Sequence, residues 1–408
     1  MSSSLNHSNT ELLAGKSVAL LTQGYQSSGG VQTVARWLVR NLESSGLRVD
    51  VFNLAASSKD SRSRRIVSPK TWMRNPRIER DITESNVFQV GTQLAEFEPL
   101  RYMPNRKLTS LLNTYDIVQV VCGGPALAFA TSRSSRPTII QMATLVELER
   151  ESINKSKRLH RKIASSIATS AVSQIERWAV NCSSSTLLEN QQILELLESR
   201  GVTGLVLAPP GVDTELFKPR SGGWSAAGPL LSLGRLGEPR KGLDRLIAAY
   251  GEIVRTLPTA PPLILAGRGR LPNTLRKQID SLGLTHRVDV RENVAQAELV
   301  PLLQCASVFI QTSHEEGLGM AAIEAMACGV PVVATETAGT EETVVHGETG
   351  YLTTQQEVVA QTSAFAISAL KNGFELSKGA RCRAVANYSD QTTIARYLDA
   401  YVKALYSH

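Results

Sequence analysis

The sequence predicts an α/β protein made of two doubly wound domains, and three observations carry that expectation. Short apolar runs alternate with helix-period segments along most of the chain, these runs mostly lack polar alternation, and a Pro- and Gly-rich break divides the series near its middle. Continuous apolar runs suit strands covered on both faces, as in parallel sheets flanked by helices. Strand–helix alternation on both sides of a break gives two such sheets. A chain of 408 residues, 42% hydrophobic and 20% charged, is globular and too long for one ordinary core.

In the first half, Val18–Thr22, Val49–Leu54, Ile117–Val121, Thr138–Met142 and Leu205–Ala208 read as buried strands. Between the first two, Val31–Leu47 places Val34, Leu38 and Leu42 on one helical face. Residues 60–105 are basic, lack a clear period and read as a long loop or lid. The break follows, with Pro209, Pro210, Gly211, Pro219, Gly222 and Gly223. Beyond it, Leu230–Leu233, Leu263–Ala266, Val288–Val290, Ser307–Gln311 and Val332–Ala334 read as strands, with helical patterns such as Leu243–Val254 between them. The last segment, Gln391–Tyr406, is helical, with Ile394, Leu398, Tyr401 and Leu405 on one face. The expected domains are therefore 1–208, 209–385 and a C-terminal helix within 386–408. Ligands of open α/β sheets lie beyond the carboxyl ends of the strands, so two sheets facing a central cleft would each offer a ligand site.

Charge and cysteine usage narrow the classes. Residues 1–220 hold 27 Lys and Arg against 19 Asp and Glu, while the remainder nets one negative charge, so the overall +7 originates in the first half. One cluster is Arg62, Arg64, Arg65, Lys70, Arg74, Arg77 and Arg80; another is Lys155, Lys157, Arg158, Arg161 and Lys162. Such clusters attract phospholipid, lipid-linked phosphate, acidic polysaccharide or nucleic acid, or else simply form a solvated face. The stretch Glu149–Asn181 places Ile153, Ile163, Ile167, Ile175 and Trp178 among basic residues, which suits either a helix lying on a bilayer or a core helix with one wet side. No run approaches the ~18 uncharged apolar residues of a membrane-spanning helix, and residues 1–16 lack the apolar core of a secretory signal. Five scattered cysteines (Cys122, Cys182, Cys305, Cys328 and Cys382) with no Cys-x-x-Cys pair fit reduced thiols in a cytoplasm.

Three motifs carry chemistry. The first runs from Ser313 to Ala327: a strand ends, a loop with Gly317 and Gly319 follows, and a helix begins whose free N–H groups and dipole suit an anion. Glu316 precedes that helix and Glu324 lies inside it; two carboxylates framing an anion site suit sugar or ribose hydroxyls as hydrogen-bond acceptors. The second, Gly234–Gly242, follows a strand and supplies Arg235 and Lys241, fixed cations able to neutralise a diphosphate. No Asp-x-Asp triplet occurs anywhere, so these side chains replace the carboxylate pair a metal would need. The third, Gly29–Gly30, lies between the first strand and its helix, where it either exposes N–H groups to a ligand or serves only as a turn.

Glu316 and Glu324, with Gly317-Leu318-Gly319 between them and the run Glu324–Pro331, resemble the Glu-x7-Glu signature of retaining glycosyltransferases of family 4, the glycosyl transferases group 1. Five further segments resemble the family in the same order: Gly29-Gly30, Pro209–Asp213, Gly234-Arg235 with Arg240–Gly242, Ala266–Gly269, and Ala338-Gly339 with Glu342 and Gly350–Leu352. The resemblance covers nearly the whole chain. It implies a GT-B fold, two Rossmann-like domains facing a cleft, with the acceptor mainly on the first domain and the donor on the second. Arg235 and Lys241 would hold the donor diphosphate, Glu324 the ribose and Glu316 the transferred sugar. The backbone of Gly317, Leu318, Gly319 and Met320 would meet the phosphate or sugar, and Val294 would lie near the base. In similar proteins the final helix returns to the first domain.

The implied activity is metal-independent, cofactor-free transfer of a hexose from a nucleotide-diphosphate sugar to a glycan or lipid-linked hydroxyl, with retention at the anomeric carbon. The implied setting is the cytoplasm, with peripheral contact to the inner membrane face and no nucleic acid. One departure stands out: where family members often place a His after Thr138–Met142, this chain has Gln141-Met142-Ala143-Thr144. That departure motivates an alternative, a non-catalytic sugar-nucleotide or glycan-binding protein. A dinucleotide-dependent dehydrogenase fits poorly, because no Gly-x-Gly-x-x-Gly follows the first strand.

Overall fold

The structure, a computed structural model, describes residues 9–27, 29–57, 59–72, 74–94, 96–148 and 159–406, with the side chains of 159–168 left aside. It divides into two compact units. One comprises the chain up to Pro210 together with the segment from Thr393 onward; the other is Gly211–Thr392.

Among the described residues, the first unit contains an eight-stranded sheet. Its strands are β1 (Ser17–Gln23), β2 (Arg48–Leu54), β3 (Ile78–Arg80), β4 (Val87–Val90), β5 (Ile117–Cys122), β6 (Thr138–Met142), β7 (Ser185–Leu188) and β8 (Leu205–Leu207). They lie in the order β3-β4-β2-β1-β5-β6-β7-β8, all pairs parallel except β3 with β4. β1 and β5 are buried along almost their whole length, which explains their mainly apolar character. The helices labelled in this unit are α1 (Gly30–Ser44), α2 (Arg106–Leu112), α3 (Leu159–Cys182) and α4 (Gln191–Ser199). The sequence misses β7, whose Ser185 and Thr186 hide its apolar pattern, although neighbouring strands bury all four of its residues. It also reads 60–105 as loop, whereas β3 and β4 form there; three and four residues are too few to show a period. Much of the amphipathic stretch at Glu149 onward lies outside the described residues.

The second unit contains, among the described residues, a six-stranded parallel sheet of order β11-β10-β9-β12-β13-β14. Its strands are β9 (Leu230–Arg235), β10 (Leu263–Arg268), β11 (Val288–Glu292), β12 (Val308–Gln311), β13 (Val332–Thr335) and β14 (Gly350–Thr353). Its helices are α5 (Leu243–Thr256), α6 (Asn273–Ser281), α7 (Gln296–Cys305), α8 (Met320–Ala327), α9 (Ala338–Thr343) and α10 (Val358–Tyr388). Later strands add on one side of β9 up to β11, then on the other from β12, so the order reverses between β9 and β12. That reversal opens a crevice at the carboxyl ends of the two strands, where ligands of doubly wound sheets bind. In the first unit the same reversal falls between β1 and β5, and Gly29–Gly30 follows β1.

A final helix, α11 (Asp390–Tyr406), completes the core of the first unit. The Tyr397 hydroxyl donates to Gln141 Oε1 at 2.8 Å, and the Tyr401 hydroxyl donates to Gln119 Oε1 at 2.8 Å. Both phenols are fully buried, and burial holds them neutral far above the usual tyrosine range. Gln141, at the place where the family often has a nearby His, is thus occupied in anchoring this helix.

Arg381 on α10 ties the second unit together: its Nη1 donates to the carbonyls of Thr214 (3.0 Å), Phe217 (2.9 Å) and Ala327, the last residue of α8 (2.8 Å). Replacing it with Met strands three half-buried carbonyls. Charged hydrogen bonds are worth about 1.5–3 kcal/mol, so we expect Arg381→Met to lower the stability of this unit by about 2–3 kcal/mol. Urea denaturation checks this; a loss below half a kilocalorie would refute it.

Candidate active site

The loops after β9 and β12 meet at the topological reversal of the second unit. After β9 the chain turns through Arg235–Glu238 into a short 3-10 turn, Pro239–Lys241, and enters α5 through Gly242. Gly242 sits at φ +61°, and a Cβ there would lie 2.1 Å from the Thr312 carbonyl oxygen. Only glycine allows this approach. Thr312 Oγ1 donates to the Gly242 carbonyl at 2.9 Å, and His314 N–H donates to the Arg240 carbonyl at 2.8 Å. The Arg245 guanidinium bridges Gln355 Oε1 and the Thr312 carbonyl. We expect Gly242→Ala to cost about 2–3 kcal/mol from left-handed backbone strain plus the clash. Its melting temperature would show this; an unchanged value would mean that the loops can separate freely.

Within this frame Lys241 Nζ donates to Glu316 Oε2 at 2.7 Å, the two side chains being 17% and 18% exposed. The same oxygen accepts from Gln311 Nε2 and from Ser313 Oγ, each at 3.2 Å. One carboxylate oxygen therefore gathers three donors from two loops, while Oε1 has no partner among the described residues. The aliphatic stem of Lys241 would lie 3.7 Å from a Cβ at Gly234. Arg235 is half exposed and pairs with Glu238 at 2.6 Å; Arg240 pairs with Glu238 at 2.9 Å and with Glu315 at 3.7 Å. Each of the two expected phosphate-binding cations thus already rests on a carboxylate. Ser232, Gly234, Arg235, Lys241, Gln311 and Ser313 line a cavity of only about 10 Å³.

Gly319, at φ +84°, starts α8 without a side-chain cap, so the first N–H groups of the helix stay available. Leu318 is buried beneath this start and Met320 packs partly against the same core. Glu324 lies on the second turn of α8. It keeps some solvent access, yet the surrounding protein desolvates its carboxyl enough to push it up to about 7. No hydrogen bond or ion pair joins it to another described side chain. Val294 is anchored by its N–H on the Gly267 carbonyl at 3.3 Å, and Gly267 is the register partner of Gly234.

The structure therefore brings Lys241, Glu316, Arg235 and the Gly317–Met320 turn together, with Val294 one strand away. Glu324 stands apart from the ion pair, on the helix that this turn begins. Gly29 and Gly30 open α1 in the other unit, the Gly29 carbonyl accepting from Thr33 N–H at 2.9 Å. Sequence reasoning missed Gln311 and Ser313 as partners of Glu316. Both left a signal: a polar amide ends a strand that is otherwise apolar, and Ser stands three residues before Glu, the spacing of a reciprocal side-chain pair. Glu315, adjacent to Glu316, pairs with Arg240. His346 accepts from Leu352 N–H through Nδ1 at 3.1 Å and packs edge-on against Tyr351 and Phe365. His314 is held neutral to lower pH by burial and by Arg245 nearby. Among the described residues no cluster of His, Cys, Asp and Glu is arranged to hold a metal ion.

The family described as glycosyl transferases group 1 matches residues 228–384, which lie wholly in the second unit. A GDP-mannose-dependent alpha-(1-6)-phosphatidylinositol monomannoside mannosyltransferase of Mycolicibacterium smegmatis is 36% identical over 172 residues, 38% of this chain. The match spans 44% of that relative, under half of its length. A D-inositol 3-phosphate glycosyltransferase of Acidothermus cellulolyticus is 27% identical over 94% of this chain and 87% of its own. Among solved structures, a sucrose-phosphate synthase from Thermosynechococcus elongatus superposes with a TM-score of 0.70 at 20% identity, covering 96% of this chain and 99% of that one. The Anabaena HepE protein in complex with UDP-glucose does so with a TM-score of 0.66 at 18% identity, covering 96% and 100%. With the family match on the second unit and this likeness over both, residues 228–384 carry the glycosyl transferases group 1 match and the chain has the GT-B fold.

Proposed function

We propose that this protein transfers a hexose from a nucleotide-diphosphate sugar to a hydroxyl of a glycan or lipid-linked acceptor, without a metal and with retention of anomeric configuration. The observation that carries the reading is the Lys241–Glu316 pair, held at 2.7 Å beside an uncapped helix start at a topological reversal. Arg235 and Lys241 already pair with Glu238 and Glu316, so the donor enters by exchange. Its diphosphate takes Lys241 and Arg235 from their carboxylates, and Glu316, still held by Gln311 and Ser313, turns its freed lone pairs to sugar hydroxyls. Glu324 accepts from the ribose, the Gly317–Met320 backbone meets phosphate or sugar, and Val294 borders the base.

As the glycosidic bond to the diphosphate breaks, the growing negative charge is met by Arg235 and Lys241, cations fixed in advance. We propose attack from the same face, the departing phosphate oxygen taking the acceptor proton. The first unit, with Gly29–Gly30 after β1, is proposed as the acceptor side, and its basic excess suits an anionic, membrane-borne acceptor. Among the described residues no helix is long and apolar enough to cross a membrane; the proposed contact is peripheral, from the cytoplasm.

The test is a thermal-shift screen of UDP, GDP, ADP and their sugars, followed by mass-spectrometric transfer assays. GDP-mannose heads the panel because the matched mannosyltransferase is named for it. NMR of the product reads the anomeric configuration, and chelator leaves the rate unchanged if the cations suffice. Neither turnover nor hydrolysis with any donor would remove the proposal.

A further inference from the structure

The basic excursion between β2 and α2 is less free in charge than its sequence suggests. From Lys59 to Arg80 it has eight basic residues against two acidic ones, yet Arg62 pairs with Asp60, Arg65 with Glu96 and Arg77 with Glu79. Arg80 lies over the Phe88 ring. Lys70 and Arg74 remain exposed, with no partner among the described residues.

Beside these two cations the excursion displays apolar side chains. Ile66, Val67, Trp72 and Phe97 are between 43% and 69% exposed. They occupy one small neighbourhood. Trp72 Nε1 donates to the carbonyls of Arg65 (3.0 Å) and Ile66 (3.1 Å), and the residue just before Phe97, Glu96, accepts from Ile66 N–H at 2.9 Å while pairing with Arg65. Thr71 Oγ1 closes the loop on itself, accepting from Arg65 N–H and donating to the Ser68 carbonyl. The loop is thus built by its own hydrogen bonds to hold its apolar side chains outward, rather than collapsed over them.

We propose that this edge is a docking surface for an anionic bilayer. Ile66, Val67, Trp72 and Phe97 enter the interfacial layer, with Lys70 and Arg74 at headgroup level. Charge complementarity selects the occupant: a row of apolar side chains flanked by unpaired cations matches an apolar layer covered by anionic headgroups. Tryptophan, with an apolar ring and one polar N–H, favours that boundary. A soluble acidic polymer would satisfy the cations but leave the apolar edge in water. The inference rests on reading the first unit as the side that meets a membrane-borne acceptor.

The experiment is co-sedimentation of the full chain with phosphatidylcholine vesicles, with and without phosphatidylglycerol. Wild type should bind the anionic vesicles, weaken with salt, and ignore pure phosphatidylcholine. Lys70→Glu with Arg74→Glu should reduce binding by about 30-fold or more, at roughly 1 kcal/mol per cation. Val67→Asp with Phe97→Asp should reduce it about tenfold or more while leaving circular dichroism and nucleotide binding unchanged. Trp72 fluorescence should be quenched by brominated lipid, with Trp72→Phe subtracting the other tryptophans. Wild-type affinity in Val67→Asp/Phe97→Asp, absence of quenching, or preference for a soluble acidic polysaccharide over vesicles would overturn the proposal. Nucleotide binding is followed in the same samples: its absence in wild type sinks the donor reading and leaves the vesicle result standing.

Discussion

Lys241→Met is expected to reduce sugar transfer by about 10²–10³-fold, the usual consequence of deleting one fixed electrostatic donor in a shielded site. In the proposed exchange the side chain faces two carriers of negative charge in turn: Glu316 before the donor arrives and the diphosphate afterwards. Its loss therefore acts twice. Without ligand, Glu316 keeps only Gln311 and Ser313 at 3.2 Å for its Oε2, and a largely shielded carboxylate has lost its counter-charge. With ligand, the departing diphosphate is left with Arg235, which is half exposed and shared with Glu238. Glu316→Gln should also abolish most transfer while retaining nucleoside diphosphate binding. The double variant separates the two effects: it should recover thermal stability relative to Lys241→Met, because no lone charge remains, yet stay inactive. Full activity in Lys241→Met would show that Arg235 alone carries the phosphate charge.

The second large effect concerns pH. Desolvation by the surrounding protein pushes the Glu324 carboxyl up to about 7, so near neutrality much of it is protonated. A ribose diol needs two acceptors, which the ionised form supplies better. Nucleotide affinity should therefore rise as pH climbs through about 7, with proton release on binding, and calorimetry in buffers of different ionisation enthalpy would detect the proton. For stability the sign is opposite. A carboxyl raised from 4.5 binds its proton more tightly when folded, so its contribution is fully present below that unfolded value. It is lost as pH rises through about 7. Glu324→Gln should flatten both dependences, weaken nucleotide binding about 10–100-fold, and stabilise the protein above neutrality by on the order of 2 kcal/mol. Identical pH profiles for variant and wild type would show that Glu324 does not titrate in this range.

The fold class was legible because its evidence is local. Val18–Thr22 or Val332–Ala334 announce themselves by unbroken apolar character, which both-faced burial requires. β7 and β4 are short and carry Ser, Thr or Gln, so only their neighbours in the sheet define them. In the candidate site, the loop–helix turn at Gly317–Met320 and the cations after β9 could be picked out from spacing alone. What spacing could not give is which charges meet. Lys241 and Glu316 are far apart in sequence, and Gln311 and Ser313 gain meaning only once the two loops are stitched by Thr312 and Gly242. The basic cluster from Arg62 to Arg80 shows the converse. Charge counting made it uniformly cationic, whereas Asp60, Glu79 and Glu96 neutralise much of it and leave a few positions exposed.

The packing of Tyr397 and Tyr401 against Gln141 and Gln119 also orders events during synthesis. β1 to β8 leave the ribosome first, but the side chains that close over Gln119 and Gln141 are made only after the whole of Gly211–Thr392. The second unit can therefore close its own core while the first waits without the tyrosine donors to Gln119 Oε1 and Gln141 Oε1. A nascent chain halted before Tyr397 should present that waiting state to proteases and chaperones.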